Sequence, residues 1–213
     1  SVNLSKMLKT PPDGRPVLDW DRLAEVTAHS LRFLDDVITV NRFLLPEVRT
    51  ITLANRKVGL GVMGWAELLI ELGIPYASKE AVELGREVMG FIQEKSLETS
   101  QALAAEREVF PNWRKSRFYP DRPLRNASCN SIAPTGSISL LAGNVSSGIE
   151  PIYALEAVRS VRDASQELRE IDLQDFALRR WREERGMETS PPGSFVTADA
   201  MSGDAHLAMQ ASL

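Results

Sequence analysis

The sequence predicts an α/β domain in which short buried strands alternate with longer helices. Three observations carry that prediction. A glycine-punctuated apolar run over residues 58–62 feeds a helical pattern over Trp65–Leu72. A second strand-like approach ends at Ile132-Ala133 and turns through Pro134-Thr135-Gly136-Ser137 into the apolar run 138–142. Amphipathic stretches of helical period cover residues 20–34 and 79–105. Parallel strands linked by helices follow from this alternation, and ligands in such folds sit at loops beyond the strand ends.

Taken in order, residues 2–4 read as a short strand and residues 10–16 as a surface turn rich in proline. Asp19 is placed to cap a helix over 20–34, with Leu23, Val26, Ser30 and Phe33 near one stripe. The run continues with a bend through Val37 and Val40 to Phe43, and Pro46 ends it. Asp35 and Asp36 are adjacent and do not share a face as an i,i+4 pair would, so they read as a solvated face and not as metal ligands. Gly59, Gly61 and Gly64 spell GxGxxG. The helix after them breaks early, at Gly73-Ile74-Pro75, which favours close backbone packing or a pocket-lining role over a dinucleotide site.

Ser78 is a cap for the long helix 79–105, whose stripe is Ala81, Leu84, Gly85, Val88, Phe91 and Ile92. Residues 112–120 interleave basic and aromatic side chains, a mixture that suits a phosphate or a base and just as readily a surface loop pinned by its rings. A second small-residue loop, 143–153, follows the first within ten residues, and both are expected to converge on one pocket. Residues 153–161 read as a strand and 163–185 as a charged helix ended by Gly186. Pro191-Pro192-Gly193 is a linker, and a last helix starts at Ser202 or Asp204.

Composition excludes several function classes. The 213 residues suffice for one sizeable core, and the 43% hydrophobic and 25% charged content is that of a globular domain. A net charge of -4 gives no broad surface for nucleic acid or anionic membrane, although it leaves room for a small basic pocket. One cysteine, Cys129, allows neither an intrachain disulfide nor a cysteine zinc cluster. His29 and His206 are too far apart for a local metal motif. No apolar run has membrane-spanning length, and no signal peptide is readable, so an intracellular, cytoplasmic protein is expected. Both ends read as cut: residues 2–4 are a strand already under way, and 205–213 form a helix without a cap.

The corner after Ile132-Ala133 is the strongest candidate site. Thr135 and Ser137 offer hydroxyl donors, and Gly136 leaves the backbone N–H groups uncovered. A helix starting near Ser137 would add its free N–H groups for an anion. The same composition also makes an ordinary turn, and the loop lacks the lysine and glycine spacing of a nucleotide-hydrolase P-loop.

Several ordered blocks resemble the catalytic subunit of ribonucleotide reductase, most closely the adenosylcobalamin-dependent class. They are residues 1–6, 33–38, 58–65, the Ile132-to-Ser139 block and Ser147-Gly148-Ile149-Glu150-Pro151. The resemblance covers nearly the whole chain. It implies part of a ten-stranded α/β barrel, with residues 1–213 a partial catalytic barrel domain truncated at both ends. It further implies that Pro134, Thr135, Gly136, Ser137 and Ile138 hold the diphosphate of a ribonucleotide. Ser147, Gly148, Glu150 and Pro151 would line the same pocket, with no acid–base role for Glu150.

In the resembled family a thiyl radical removes the 3′-hydrogen of the ribose, and two further cysteines supply electrons. Those positions fall upstream of residue 1, and Cys129 matches none of them; it reads as a small buried hydrophobe. No catalytic or metal-binding residue is therefore assigned to this chain, which is expected to be inactive alone. Adenosylcobalamin belongs to the parent enzyme and is not assigned to a residue here. The implied partners are the remainder of the catalytic subunit, or a complementary split subunit, and a ribonucleoside di- or triphosphate. The competing reading is a non-catalytic nucleotide-binding or interaction module derived from that barrel.

Overall fold

The computed structural model describes residues 1–12, 14–162, 167–186 and 190–213. In chain order the elements are β1 (Val2–Asn3), a 3-10 turn (Leu4–Lys6), β2 (Leu8–Lys9), β3 (Val17–Leu18), α1 (Trp20–Val40), α2 (Pro46–Asn55), β4 (Val62–Met63), α3 (Trp65–Leu72) and α4 (Lys79–Arg107). A 3-10 turn (Trp113–Lys115), α5 (Gly136–Leu141), β5 (Glu156–Arg162), β6 (Leu168–Gln174), α6 (Phe176–Arg185), a further 3-10 turn (Ala198–Ala200) and α7 (Gly203–Ser212) complete the chain. The residues separate into two compact units. One comprises residues 1–2, 19–61 and 87–133; the other comprises 3–18, 62–86 and 134–213.

In the first unit, α1 starts where Asp19 accepts the Arg22 N–H at 3.2 Å, and it runs without a break to Val40. Its buried face is Leu23, Thr27, Leu31, Asp35 and Ile38, a clean helical stripe. This face is rotated from the predicted one, and Phe33 is 66% exposed. The reason is Asp35, which is taken inside as an ion pair and turns its own side of the helix inward. The expectation of a solvated Asp35 is corrected accordingly. Pro46 does not end a helix; it opens α2 at the first position, where its missing N–H costs nothing.

Residues 58–60 and 128–131 of this unit lie side by side, with a parallel bridge between Leu60 and Asn130. Val58 N–H donates to Ser128 O at 3.0 Å, Leu60 N–H to Cys129 O at 2.8 Å, and Ser131 N–H to Leu60 O at 3.2 Å. Gly61 permits this approach, because a Cβ there would run into the Ser131 carbonyl oxygen. Leu60, Leu103, Phe110, Leu124 and Cys129 are buried in this unit.

In the second unit, α3 starts at Gly64, whose left-handed φ of 72° an L side chain rarely adopts; a Cβ there would also lie 2.6 Å from Asn3 Oδ1. Trp65, Leu68 and Leu69 of α3 are buried, as are Phe176 and Leu178 of α6 and Met209 of α7. Ser78 Oγ accepts the Ala81 N–H at 3.1 Å, as its predicted capping role requires. β2 and β3 pair antiparallel with Leu8 opposite Leu18, and β5 and β6 pair antiparallel from Glu156 opposite Gln174 to Arg162 opposite Leu168.

That hairpin corrects the predicted charged helix over 163–185. Residues 163–166 lie outside the described residues, 168–174 are strand, and the helix covers only Phe176–Arg185. Asp175 sets the boundary: its carboxylate accepts the N–H groups of Ala177 at 2.8 Å and Leu178 at 3.2 Å, which fixes the helix start. The expected parallel sheet and ten-stranded barrel are met only in part. The topology mixes helices and strands, its ladders include antiparallel hairpins, and no closed barrel forms among the described residues. Among them, no helix is long and apolar enough to cross a membrane.

Candidate functional site

The predicted corner and the second small-residue loop meet in the second unit. Thr135 precedes α5 but does not cap it with its side chain. Its buried hydroxyl oxygen instead accepts the Gly148 N–H at 3.0 Å, which ties the first loop to the second. Ser139 donates to Gly136 O at 3.2 Å and lies 3.5 Å from the Ser147 hydroxyl. Among the described residues, no acceptor bonds the backbone N–H of Gly136, Ser137 or Ile138.

Beside this contact lies a cavity of about 280 Å³. Gly136 and Ser139 line it from the first loop, and Ser146, Ser147, Glu150 and Pro151 from the second. Arg159 of β5 and Asp175 complete its charged wall. Of the predicted residues, Thr135 and Gly148 thus hold the loops together, and Gly136, Ser147, Glu150 and Pro151 line the space. Pro134, Ser137 and Ile138 are exposed and are not part of its lining.

Sequence reasoning missed the groups beneath the second loop. Ser146 donates its N–H to Glu67 Oε1 and its hydroxyl to Glu67 Oε2, both at 2.7 Å. The Ser146 oxygen in turn accepts the Ala66 N–H at 3.2 Å, and its carbonyl accepts the Gly64 N–H at 2.9 Å. Glu67 is wholly buried, and Asp175, also buried, is near enough for its charge to act on it. Burial first, and then the neighbouring Asp175 charge, push Glu67 up to about 8. Burial also raises Asp175. Tyr76 donates to Ile149 O at 2.5 Å, and burial raises its phenol. The signal for Glu67 was an acid in the first turn of the largely apolar helix Trp65–Leu72, which also carries Glu71, and nothing local set the two apart.

Cys129 lies in the first unit, buried, with its thiol pushed up to about 11 by burial. No group of three His, Cys, Asp or Glu side chains among the described residues is placed to hold a metal. Arg114, Lys115 and Arg117 of the basic–aromatic segment are exposed, while Trp113 packs edge-on against Tyr119 at 5.0 Å.

A sequence model of the ribonucleotide reductase barrel domain matches residues 1–122 and 119–213. A vitamin B12-dependent ribonucleoside-diphosphate reductase of Mycobacterium tuberculosis (strain CDC 1551 / Oshkosh) is 51% identical over 161 residues, 76% of this chain. The protein of the same description from Thermoplasma acidophilum is 49% identical over 173 residues, 81% of this chain. A ribonucleoside-diphosphate reductase subunit alpha of Chlamydia pneumoniae is 32% identical over 198 residues, 75% of this chain. The chain spans 22% of the length of the first two relatives and 18% of the third. With its whole length matched, the chain belongs to the ribonucleotide reductase barrel-domain family.

Proposed function

We propose that this chain is a piece of the catalytic barrel of a cobalamin-dependent ribonucleotide reductase and contributes the loop that holds the substrate's diphosphate. One observation carries the reading: two small-residue loops, joined by the Thr135–Gly148 hydrogen bond, border a cavity lined by Gly136, whose N–H, like those of the exposed Ser137 and Ile138 that follow it, has no acceptor among the described residues. Outward-pointing N–H groups with hydroxyls beside them suit an anionic oxygen. In this reading Gly136, Ser137 and Ile138 present backbone donors, Ser137 adds its hydroxyl, and Ser147 and Glu150 border the ligand. Thr135 acts by fixing the loop.

The chain's part is binding and orientation. Its one cysteine is buried with a raised thiol, so radical and dithiol steps fall to other parts of the enzyme. The cobalamin named for the relatives finds no fit in this site: the cavity, about 280 Å³, is far smaller than that cofactor, and no imidazole lines it among the described residues. The substrate is a ribonucleoside di- or triphosphate, and the partner is the remainder of the catalytic subunit. A nucleotide-binding module without chemistry is the second reading, and the buried lone cysteine favours it for the chain taken alone.

Calorimetric titration with ADP, pyrophosphate and adenosine tests the binding role. ADP and pyrophosphate are expected to bind and adenosine to bind far more weakly. Ser137→Asp places a carboxylate among the donors while suiting a helix start, so it should weaken ADP by about tenfold or more without loss of stability. Equal binding of adenosine and ADP would overturn the assignment. Adding the upstream remainder of the subunit and cobalamin, then assaying deoxyribonucleotide, separates the two readings.

A further inference from the structure

Helix α1 is apolar on two sides. One side, with Leu23, Leu31 and Ile38, is buried in its own unit. The other carries Phe33, Val37 and Val40, and Val40 is 76% exposed. These three extend a stripe through the half-buried Val26 and Ser30, with spacings that alternate between four and three residues. That is the spacing of a helix surface laid along a second helix. A helix that is apolar all round is ordinarily covered all round.

The bare surface continues past α1. Leu44, in the connection to α2, is 99% exposed, and Val48 and Ile51, three residues apart on α2, are exposed as well. None of the ten residues of α2 is buried. Its last turn is tied down: Ala54 O accepts the Asn112 N–H at 3.0 Å, and Asn55 O accepts the Ala127 N–H at 3.1 Å. A helix this short gains its stability from a packed apolar face, and the face of α2 stands in water. The charges that border the α1 stripe are already satisfied within the unit. Arg32 donates to Glu106 Oε1 and Oε2 at 2.7 and 2.8 Å, and Asp36 is paired with Arg107. The stripe therefore suits apolar side chains and offers no counter-charge at this border.

We propose that the exposed α1–α2 face is an interface, covered by an apolar helix from the remainder of the catalytic subunit. The inference rests on the reading of this chain as a piece of that subunit, and it adds where the rest attaches. The occupant follows from extent. The chain spans 22% of the length of the Mycobacterium and Thermoplasma relatives, so most of each has no counterpart here. Covering the face would take Phe33, Val37, Val40 and Leu44 out of water, which is the driving force for docking.

Thiol labelling reads the cover directly. Val40→Cys and Val48→Cys each place a thiol on the face over a quiet background, since Cys129 is buried with its thiol pushed up to about 11. Each variant is treated with a maleimide in the chain alone and in a full-length chimera, in which the chain replaces the matching region of the Thermoplasma relative. Mass spectrometry follows the peptide that carries the new thiol. Labelling is expected to be fast in the chain and about tenfold or more slower in the chimera. Equal rates overturn the interface. Sedimentation of the chain tests a second copy as the occupant: a monomer is expected, and a dimer that Phe33→Gln with Leu44→Gln dissociates overturns the assignment. Hydrogen exchange of the unmodified Thermoplasma relative needs no engineered protein. Slow exchange at its peptides aligned with 33–51, against fast exchange of α2 in the chain, supports the interface; equally fast exchange overturns it. The reading beneath is scored apart. A chimera that forms deoxyribonucleotide with unprotected thiols keeps that reading and sinks this one, and protected thiols with no pyrophosphate binding by the chain support the interface and overturn the diphosphate loop.

Discussion

Asp35 and Arg56 meet at 2.8 Å with both side chains withdrawn from solvent. The guanidinium also donates to Asp35 O at 2.8 Å and to Thr39 Oγ1 at 3.0 Å. Asn126 donates to Asp35 Oδ1 at 3.0 Å, and Arg107 and Arg125 approach its other oxygen at 3.5 and 3.4 Å. Burial alone would raise the Asp35 carboxyl, but Arg56, with Arg125 and Asn126, outweighs it and holds the group below its usual range. The sharp φ of 46° at Arg56, where α2 ends, aims the side chain at this point.

Removing one partner of such a pair leaves the other buried and uncompensated. Asp35→Ala should cost about 3–5 kcal/mol, read from the urea midpoint of the chain. An effect below about 1 kcal/mol would show that the cluster is solvated in solution.

Glu67 sets a pH dependence of stability. Its folded value lies above the ordinary 4.5, so the native state holds a proton that the unfolded state has released. Stability therefore falls as pH rises from about 4.5 to about 8, at up to about 1.4 kcal/mol per pH unit, and levels beyond. Glu67→Gln should remove that slope in urea unfolding measured at several pH values. An unchanged slope assigns it to other groups.

The contrast between Asp35 and Glu67 marks what the sequence reveals. Helix starts were legible because their chemistry is local: Asp19 and Ser78 bond N–H groups three residues on. The corner at 134–137 was legible for the same reason, as was the approach of the two loops. The burial of Asp35 was not, because its partners Arg56 and Asn126 lie 21 and 91 residues away. Glu67 was hidden likewise, since Ser146 is 79 residues off. The stretch 168–174 was misread because its charges suit a helix surface equally well, and only the pairing with β5 decides.

Thr135→Val deletes the acceptor for the Gly148 N–H. The cost is expected at about 1–3 kcal/mol, since that donor is left buried. Faster hydrogen exchange at Gly148, with ADP binding reduced by a similar free energy, is the expected result. Unchanged exchange would mean that the loops are held by other contacts.

Cys129 combines burial with a thiol near 11. At about pH 7.5 it should react with iodoacetamide far more slowly than a free thiol, and at ordinary speed in denaturant. Fast labelling of the folded chain would contradict the packing around it.

The pairing of Val58 with Ser128 joins segments separated by 70 residues. Helices α1 and α4 can form from neighbouring residues, but this ladder cannot gain anything until a long loop has closed. The first unit should thus gain its helical signal early and its strand contacts late. Gly61 makes the late step demanding, since the Ser131 carbonyl must come to rest where any side chain would stand. A glycine at position 61 is what lets two segments so far apart in the chain be joined by backbone hydrogen bonds.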